Sequence, residues 1–204
     1  VPLSEEELAA GWIRLFDGST LFGWQANSDA NWQVVDGAIR VSEGTKGLLC
    51  TTTPFSNYVL SVEFRSAAGT NSGIFLQTPL SPQDPANDCY ELNIADSDNP
   101  FPTGSLVKRE KAVGNFDSTD WQRYEVTVLG DTLTVILDGK QVLQYSDAKP
   151  LHRGLIGLQL NEGLVEFRDI KLKPLQLEPL FNGQDLTGWK TYPDMASKFT
   201  VTEE

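Results

Sequence analysis

The chain contains two similar ten-residue segments, identical at six positions. Residues 15–24 read Leu-Phe-Asp-Gly-Ser-Thr-Leu-Phe-Gly-Trp, and residues 180–189 read Leu-Phe-Asn-Gly-Gln-Asp-Leu-Thr-Gly-Trp. An offset of about 165 residues is too long for a solenoid repeat and is typical of a tandem copy of a whole domain. We therefore predict one complete domain over residues 1–175, followed by a linker and the start of a second, truncated copy over residues 176–204. So short a second copy cannot form its own sandwich, so we expect it to dock on the first domain or on a neighbouring molecule.

The charge of the chain restricts its partners. The formal net charge of −12 repels phosphate backbones and anionic lipid, which argues against nucleic acid as a partner. No segment approaches the roughly 20 apolar residues of a membrane span, so membrane insertion is not expected. Neutral ligands such as sugars carry no such penalty.

Alternating apolar and polar residues predict an all-β fold. In the segment Tyr58–Arg65 every second side chain is apolar, which is typical of a half-buried strand. Similar strands are predicted at 72–78, 88–96, 121–129, 132–137, 155–160 and 165–172. A capping residue at Ser4 and a stop at Gly11 predict one short N-terminal helix. Many short strands with tight turns at residues 130–131 and 138–139 indicate a β-sandwich of jelly-roll type.

Two irregular segments are predicted at the ends of the sandwich. Residues 79–87 contain three prolines, and residues 96–104 contain two prolines and a glycine. Long loops on a rigid sandwich are where binding residues usually collect.

Strand parity selects the candidate site residues. In the strand that contains Tyr90, Leu92 and Ile94 in its core stripe, Glu91 and Asn93 point to the opposite face. The same parity places five further side chains outward: Glu63, Arg65, Phe75, Gln77 and Gln159. If these strands share one sheet, its outer face combines acids, amides, an arginine and an aromatic ring, which suits a sugar. The alternative is an ordinary solvated face, because antiparallel strands alternate in this way for structural reasons alone.

Other classes of site have less support. His152 is the only histidine, so it cannot build a multi-histidine zinc site. Asp84, Asp88, Asp96 and Asp98 could bind Ca²⁺, but their spacing does not match a known calcium loop, and no cofactor is required. Cys50 and Cys89 either pair across a sheet or remain two buried thiols.

A series of short motifs resembles the 3-keto-disaccharide hydrolase domain family. The motifs, in chain order, are Leu15-Phe16-Asp17-Gly18 with Gly23-Trp24, Asn71-Ser72-Gly73-Ile74, Tyr90 to Asp96, Thr103-Gly104-Ser105-Leu106, Asp120-Trp121, Gly157-Leu158-Gln159 and Val165 to Ile170. The resemblance covers residues 5–174 and implies a concanavalin-like jelly-roll β-sandwich in a secreted or periplasmic protein. It further implies a hydrolase that acts on glycosides already oxidised to a ketone at carbon 3.

The resemblance also implies roles for individual residues. Glu91 is the first candidate for the catalytic base or acid, Asp96 the second and Glu63 the third. Hydroxyl groups would be bound by Asn71, Gln77, Asn93 and Gln159. A developing enolate would be stabilised by Arg65, Lys108 or His152.

The chain departs from the family pattern at several positions. Relatives commonly carry arginine in place of Gln77, glutamine in place of Asn93, histidine in place of Asn161 and tyrosine in place of Val107. The alternative function is therefore a non-catalytic carbohydrate-binding module, and a third is an adhesion domain. Burial of Glu91 discriminates between the first two, because a catalytic carboxyl group is expected in a cleft with a raised pKa.

Overall fold

The computed structural model describes residues 2–114, 116–190, 194 and 196–202. Two short helices and thirteen strands lie within these residues. They are α1 (Glu5–Ala9), β1 (Ile13–Arg14), β2 (Trp24–Ala26), β3 (Gln33–Val35), β4 (Ala38–Val41), β5 (Gly47–Thr51), β6 (Tyr58–Ser66), β7 (Asn71–Thr78), α2 (Pro85–Asp88), β8 (Tyr90–Ala95), β9 (Gln122–Leu129), β10 (Thr132–Leu137), β11 (Lys140–Ser146), β12 (Leu155–Leu160) and β13 (Val165–Pro174).

The strands form two antiparallel sheets. Sheet A has the order β11-β10-β9-β6-β13-β4-β3, with β1 also paired to β13. Sheet B has the order β2-β5-β12-β7-β8. Most neighbours within each sheet are distant in sequence, as expected for a jelly roll. The predicted all-β sandwich with a short N-terminal helix is confirmed.

The core lies between the two sheets and follows the predicted alternation. On β6, Tyr58, Leu60, Val62 and Phe64 are fully buried, while Arg65 on the opposite face is exposed. Each fully buried large apolar side chain contributes about 1.5–3 kcal/mol relative to an exposed one. Burial of one stripe from each strand therefore fixes which face of the sheet every polar side chain occupies.

The N-terminal helix has the caps that its sequence indicates. Ser4 Oγ accepts from Glu7 N at 3.1 Å, and Glu7 Oε2 accepts from Ser4 N at 2.8 Å, which closes a capping box. Glu7 also accepts from Lys171 Nζ at 2.6 Å. This ion pair ties α1 to β13.

One predicted loop contains regular structure. The segment 79–87 was expected to be irregular throughout, but Asp84 caps a single turn of helix, α2. An aspartate followed by a proline at the first helical position is a helix start signal. The segment 96–104 has no helix or strand, as predicted.

The chain leaves the sandwich after Pro174. Leu175 N donates to Asn57 O at 2.9 Å, and Asn57 Nδ2 donates to Gln176 Oε1 at 2.7 Å. Within 177–190, the hydrogen bonds are local ones. The docking of this segment on the first domain or on a neighbouring molecule stays a prediction.

Among the described residues, no helix combines the length and hydropathy needed to cross a membrane.

Candidate active site

The candidate site lies on the outer face of sheet B, where β7 runs between β8 and β12. Glu91 pairs in register with Phe75 on β7. A Cβ atom built on Gly73 would lie 3.4 Å from Glu91 Cγ and 3.5 Å from Gln159 Oε1. The bare backbone of Gly73 therefore leaves a space flanked by the carboxyl group and the amide. Strand parity placed each of these side chains on the outward face of its own strand, and the structure brings the two together.

Burial controls the protonation of Glu91. The side chain is half-buried, and desolvation raises the pKa of its carboxyl group above the ordinary value. The neighbouring Gln159 side chain and the positive charge of Lys108 act in the opposite direction but do not outweigh burial. A carboxyl group with a raised pKa binds a proton more readily, which suits it to accept a proton and return it.

Gln159 presents an unused acceptor to this space. Its Oε1 atom is buried and accepts no hydrogen bond within the described part of the chain. A buried polar atom without a partner is rare in folded proteins, because the lost hydrogen bond to water is not replaced. A ligand hydroxyl group would supply the missing donor.

Lys108 lies in a tight turn beside the site. Its φ angle is 61°, a left-handed conformation that a lysine adopts only when its neighbours impose it. The turn is joined to β8 where Val107 N donates to Glu91 O at 2.9 Å. The turn therefore fixes the lysine backbone next to the strand that carries Glu91.

Arg109 anchors the same turn from its other side. Arg109 Nη1 donates to Asp147 Oδ2 at 2.8 Å, and Nη2 donates to Cys89 O at 3.2 Å. Its guanidinium carbon lies 4.4 Å from the centre of the Tyr90 ring, and Tyr90 Oη also donates to Asp147 at 2.9 Å. Sequence reasoning missed this cluster, because only the three-dimensional contact joins Asp147 to the turn.

The hydrogen bonds of this cluster determine the charge state of Asp147. Burial opposes its ionisation, but hydrogen bonds from Lys149 N, Tyr90 and Arg109, together with the positive charge of Arg109, outweigh burial and lower its pKa. Asp147 is therefore an ionised partner that holds Arg109 in place.

An apolar cluster occupies the other half of the face. It comprises Leu48, Cys50, Phe75 and Cys89, with Leu80 and Leu155 packed against it. Phe75 is only 3% exposed, so its ring belongs to this cluster and is not the open stacking platform that the sequence suggested. A cleft of about 320 Å³ opens beside the cluster, between the α2 loop and β12. Its walls include Lys46, Pro82, Pro85, Gln159 and Asn161.

The two cysteines are free thiols in this apolar cluster. Desolvation raises the pKa of both Cys50 and Cys89 to about 12. The possible disulfide is therefore absent, and the alternative of two buried thiols is confirmed.

Three predicted hydroxyl-binding residues on β7 and β8 differ in exposure and in hydrogen bonding. Asn93 is buried under the 96–104 loop, and its amide nitrogen donates to Phe101 O. Gln77 is buried and donates to Ser56 O at 2.8 Å, in a left-handed conformation with φ of 50°. Asn71 is half-exposed at the start of β7. The amide nitrogen of Gln77 thus holds a neighbouring loop, while Gln77 Oε1 and Asn93 Oδ1, like Gln159 Oε1, are buried without a hydrogen-bond partner among the described residues.

Glu63 and Arg65 lie on the wrong sheet for this site. The sequence argument grouped the outward residues on the condition that their strands share one sheet, and β6 does not meet it because it belongs to sheet A. Glu63 accepts from Arg123 at 2.7 Å and from Arg168 at 2.6 Å. Arg65 pairs with Glu166. Both side chains are taken up by ion pairs on the far side of the molecule.

Asp96 lies beyond the far end of β8 from Glu91. Asp96 follows Glu91 by five positions along the chain, so the Cα atoms of the two residues lie roughly 16 Å apart and the structure does not bring their side chains together. Asp96 Oδ2 accepts from Gly69 N at 2.7 Å and lines a separate acidic hollow of about 730 Å³. His152 is exposed in the loop before β12, at the opposite end of that strand from Gln159.

The aspartates of these loops were the candidate Ca²⁺ ligands of the sequence. Within the described residues, no group of three or more histidine, cysteine, aspartate or glutamate side chains has the arrangement to hold a metal ion. Asp84 instead caps α2, where its carboxylate accepts from Ala86 N at 3.2 Å.

Comparisons with known structures agree on the fold. A Parabacteroides distasonis protein classed among the glycosyl hydrolases superposes with a TM-score of 0.76 at 20% identity, covering 86% of this chain and 99% of that one. A carbohydrate-binding module of Bacillus subtilis superposes with a TM-score of 0.57 at 14% identity, covering 73% and 94%. At these identities the likeness shows the fold alone, a lectin-like jelly roll.

Sequence comparison identifies the family. A 3-keto-disaccharide hydrolase of Bacteroides thetaiotaomicron is 25% identical over an alignment of 231 positions that covers 82% of this chain and 79% of that protein. The family model of the 3-keto-alpha-glucoside-1,2-lyase-like domain matches residues 11–173. The match spans all strands of the sandwich, and this chain therefore belongs to the 3-keto-alpha-glucoside-1,2-lyase-like (3-keto-disaccharide hydrolase) domain family.

Proposed function

We propose that this domain cleaves 3-keto glycosides by eliminating the aglycone, with Glu91 as the base. The observation that carries the proposal is the half-buried Glu91 carboxyl group with its raised pKa, set beside the unused acceptor of Gln159. The family assignment and the relative from Bacteroides thetaiotaomicron support this class of substrate.

The chemistry needs one well-placed proton acceptor. A ketone at carbon 3 acidifies the hydrogen on carbon 2, and the Glu91 carboxylate takes that proton as the C2–H bond breaks. The electron pair forms an enolate and then a C1–C2 double bond, as the C1–O bond breaks and the aglycone oxygen leaves with its electrons. A proton returns to the leaving oxygen. Water then adds to the enone, with hydroxide at carbon 1 and a proton at carbon 2, which yields the 3-keto sugar.

Neighbouring groups have defined roles in this scheme. The Lys108 ammonium group lies close enough to influence the Glu91 carboxyl group and would stabilise the enolate oxygen. Gln159 would accept from a sugar hydroxyl group and fix the ring against the bare Gly73. Protonated Glu91 would supply the proton that the leaving aglycone requires.

The three predicted acids, Glu91, Asp96 and Glu63, do not form the pair of neighbouring carboxylates that ordinary glycoside hydrolysis requires. Retaining and inverting glycosidases place two carboxyl groups roughly 5–9.5 Å apart. Asp96 lies at the far end of β8, and Glu63 lies on sheet A. A single base suits the elimination of a keto sugar better than the hydrolysis of an unoxidised one.

The alternative function is a carbohydrate-binding module. The buried Gln159 acceptor would serve a bound glycan equally well, and a carbohydrate-binding module shares the fold. Fold does not decide between the two functions.

The test is to incubate the protein with 3-keto-trehalose and 3-keto-glucosides beside the same sugars in unoxidised form. We expect the aglycone to be released from the keto forms alone. Saturable binding of glycans by calorimetry, without release from any of them, would contradict catalysis and support the binding module.

A further inference from the structure

The second copy of the opening motif has the same local structure as the first. In the first copy, Asp17 Oδ1 accepts from the backbone nitrogens of Ser19 and Thr20, both at 2.7 Å. In the second copy, Asn182 Oδ1 makes the equivalent pair of bonds. It accepts from Gln184 N at 2.8 Å and from Asp185 N at 3.0 Å.

The end of the motif is also the same in both copies. Trp24 N donates to Leu21 O at 3.0 Å, and Trp189 N donates to Leu186 O at 3.0 Å. The glycine before each tryptophan is left-handed, with φ of 84° in the first copy and 86° in the second. Positive φ explains why glycine occupies this position twice.

The sequence differences between the copies fall on the surface. Six of the ten positions are identical, and in the first copy all six are buried or half-buried. The four positions that differ are exposed in the first copy. They are Asp17, Ser19, Thr20 and Phe22. The parts retained are therefore those that a sandwich core needs.

The two copies differ in how far their aromatic side chains are buried. Phe16 and Trp24 are 4% and 8% exposed because they pack into the sandwich core, whereas the equivalent Phe181 and Trp189 are 42% and 54% exposed. The second copy forms an open apolar hollow of about 500 Å³, lined by Phe181, Leu186, Trp189, Lys190 and Phe199. Exposed apolar surface of this kind marks a face that another structure covers.

We propose that residues 180–202 are the first segment of a second sandwich of the same family, and that the core of this second sandwich covers the apolar hollow. In the first sandwich, the strand at Trp24 pairs with β5, and the indole nitrogen donates to Leu15 O at 2.7 Å. A second copy of residues equivalent to 36–174 provides a matching β5 and a matching core.

The first test exchanges the surface of the motif within the intact chain. Thr20 Oγ1 donates to Asp17 Oδ2 at 2.6 Å, and in the second copy Asn182 Nδ2 donates to Asp185 Oδ1 at 2.9 Å. Thr20→Asp alone places two carboxylates together and should lower the melting temperature. Adding Asp17→Asn should restore it, and the full exchange D17N/S19Q/T20D/F22T should melt within a few degrees of the wild-type protein. Failure of Asp17→Asn to restore stability would contradict the equivalence of the two openings.

The second test supplies the proposed occupant. A chain in which residues 36–174 are repeated after Thr202 should bury Trp189. The burial is measured by acrylamide quenching of tryptophan fluorescence. Comparing each chain with its Trp189→Phe variant gives the part of the signal that comes from Trp189. We expect Trp189 to be quenched in the parent chain and protected in the extended one. Equal quenching of Trp189 in both chains, or failure of the second sandwich to fold, would overturn the proposal. Neither result depends on catalysis at Glu91.

Discussion

The outer faces of the two sheets hold their charged side chains in different ways. On sheet A, Glu63 is held by Arg123 and Arg168, and Arg123 also binds Asp169 at 2.8 Å. On sheet B, Glu91 is half-buried with a raised pKa, and it stands beside an amide oxygen that has no donor in the described residues. A face whose charges satisfy one another stabilises the fold, whereas a face with unused polar groups is prepared for a ligand.

The largest expected effect is a loss of turnover from a substitution on sheet B that the matched substitution on sheet A does not cause. Glu91→Gln keeps the shape of the side chain but removes the base, so turnover of a 3-keto glucoside should fall by about 100- to 10,000-fold. Glu63→Gln is the matched change on sheet A and should leave turnover unchanged. It should cost about 1 kcal/mol or less of stability, because its ion pairs are partly exposed. Steady-state kinetics and thermal unfolding of both variants make the comparison, and equal turnover by Glu91→Gln and the wild-type protein would refute the assignment.

The next effect concerns the anchor of the Lys108 turn. Asp147→Asn leaves the nearly buried Arg109 without its ionic partner, which should cost about 3 kcal/mol of stability. Loosening of the turn should also reduce turnover about 10-fold, since catalytic groups must be held closely in place. Chemical denaturation and kinetics on the remaining folded protein measure the two effects. Loss of stability with normal turnover would show that Arg109 does not position Lys108.

A smaller effect is expected from filling the floor of the site. The Cβ atom of Gly73→Ala would lie 3.0 Å from Leu92 O, a tight contact at which the β8 backbone must shift, and 3.4 Å from Glu91 Cγ, where it fills the space beside that side chain. We expect kcat/KM to fall about 10-fold while thermal unfolding shows a folded protein. An unchanged kcat/KM would mean that the ligand does not occupy the space above Gly73.

The smallest effects are in the pH dependence of stability. Because burial raises the folded-state pKa of Glu91, its stabilising contribution is complete below the ordinary value of 4.5 and is lost as pH rises through the raised pKa. The pKa of Asp147 is lowered, so its contribution is present above 3.8 and is lost as pH falls. Denaturation at a series of pH values should therefore show Glu91→Gln gaining stability relative to wild type as pH rises. As pH rises through the acid range in which Asp147 ionises, the wild-type protein should gain stability that Asp147→Asn does not gain. A pH-independent difference for either variant would contradict its assigned shift.

Strand parity predicted which side chains face away from the core, but it could not predict which sheet each strand joins. Alternation along a strand tells which side chains face away from the core, and it placed both Glu91 and Gln159 on the outward face of their strands. It does not tell which sheet a strand joins, because β6 finds its neighbours β9 and β13 far along the chain. Glu63 was therefore placed with Glu91 when it lies on the opposite face. The role of Arg109 depends on Asp147, 38 residues away in sequence, and no local sequence pattern predicts such a contact.

The most direct measurement is the release of aglycone from a 3-keto glucoside carrying deuterium at carbon 2, followed in a single turnover. If Glu91 removes the C2 hydrogen, the deuterated substrate should react severalfold more slowly than the ordinary one, and Glu91→Gln should react with neither. Equal rates for the two substrates, or equal rates for keto and unoxidised glucosides, would contradict elimination at this site.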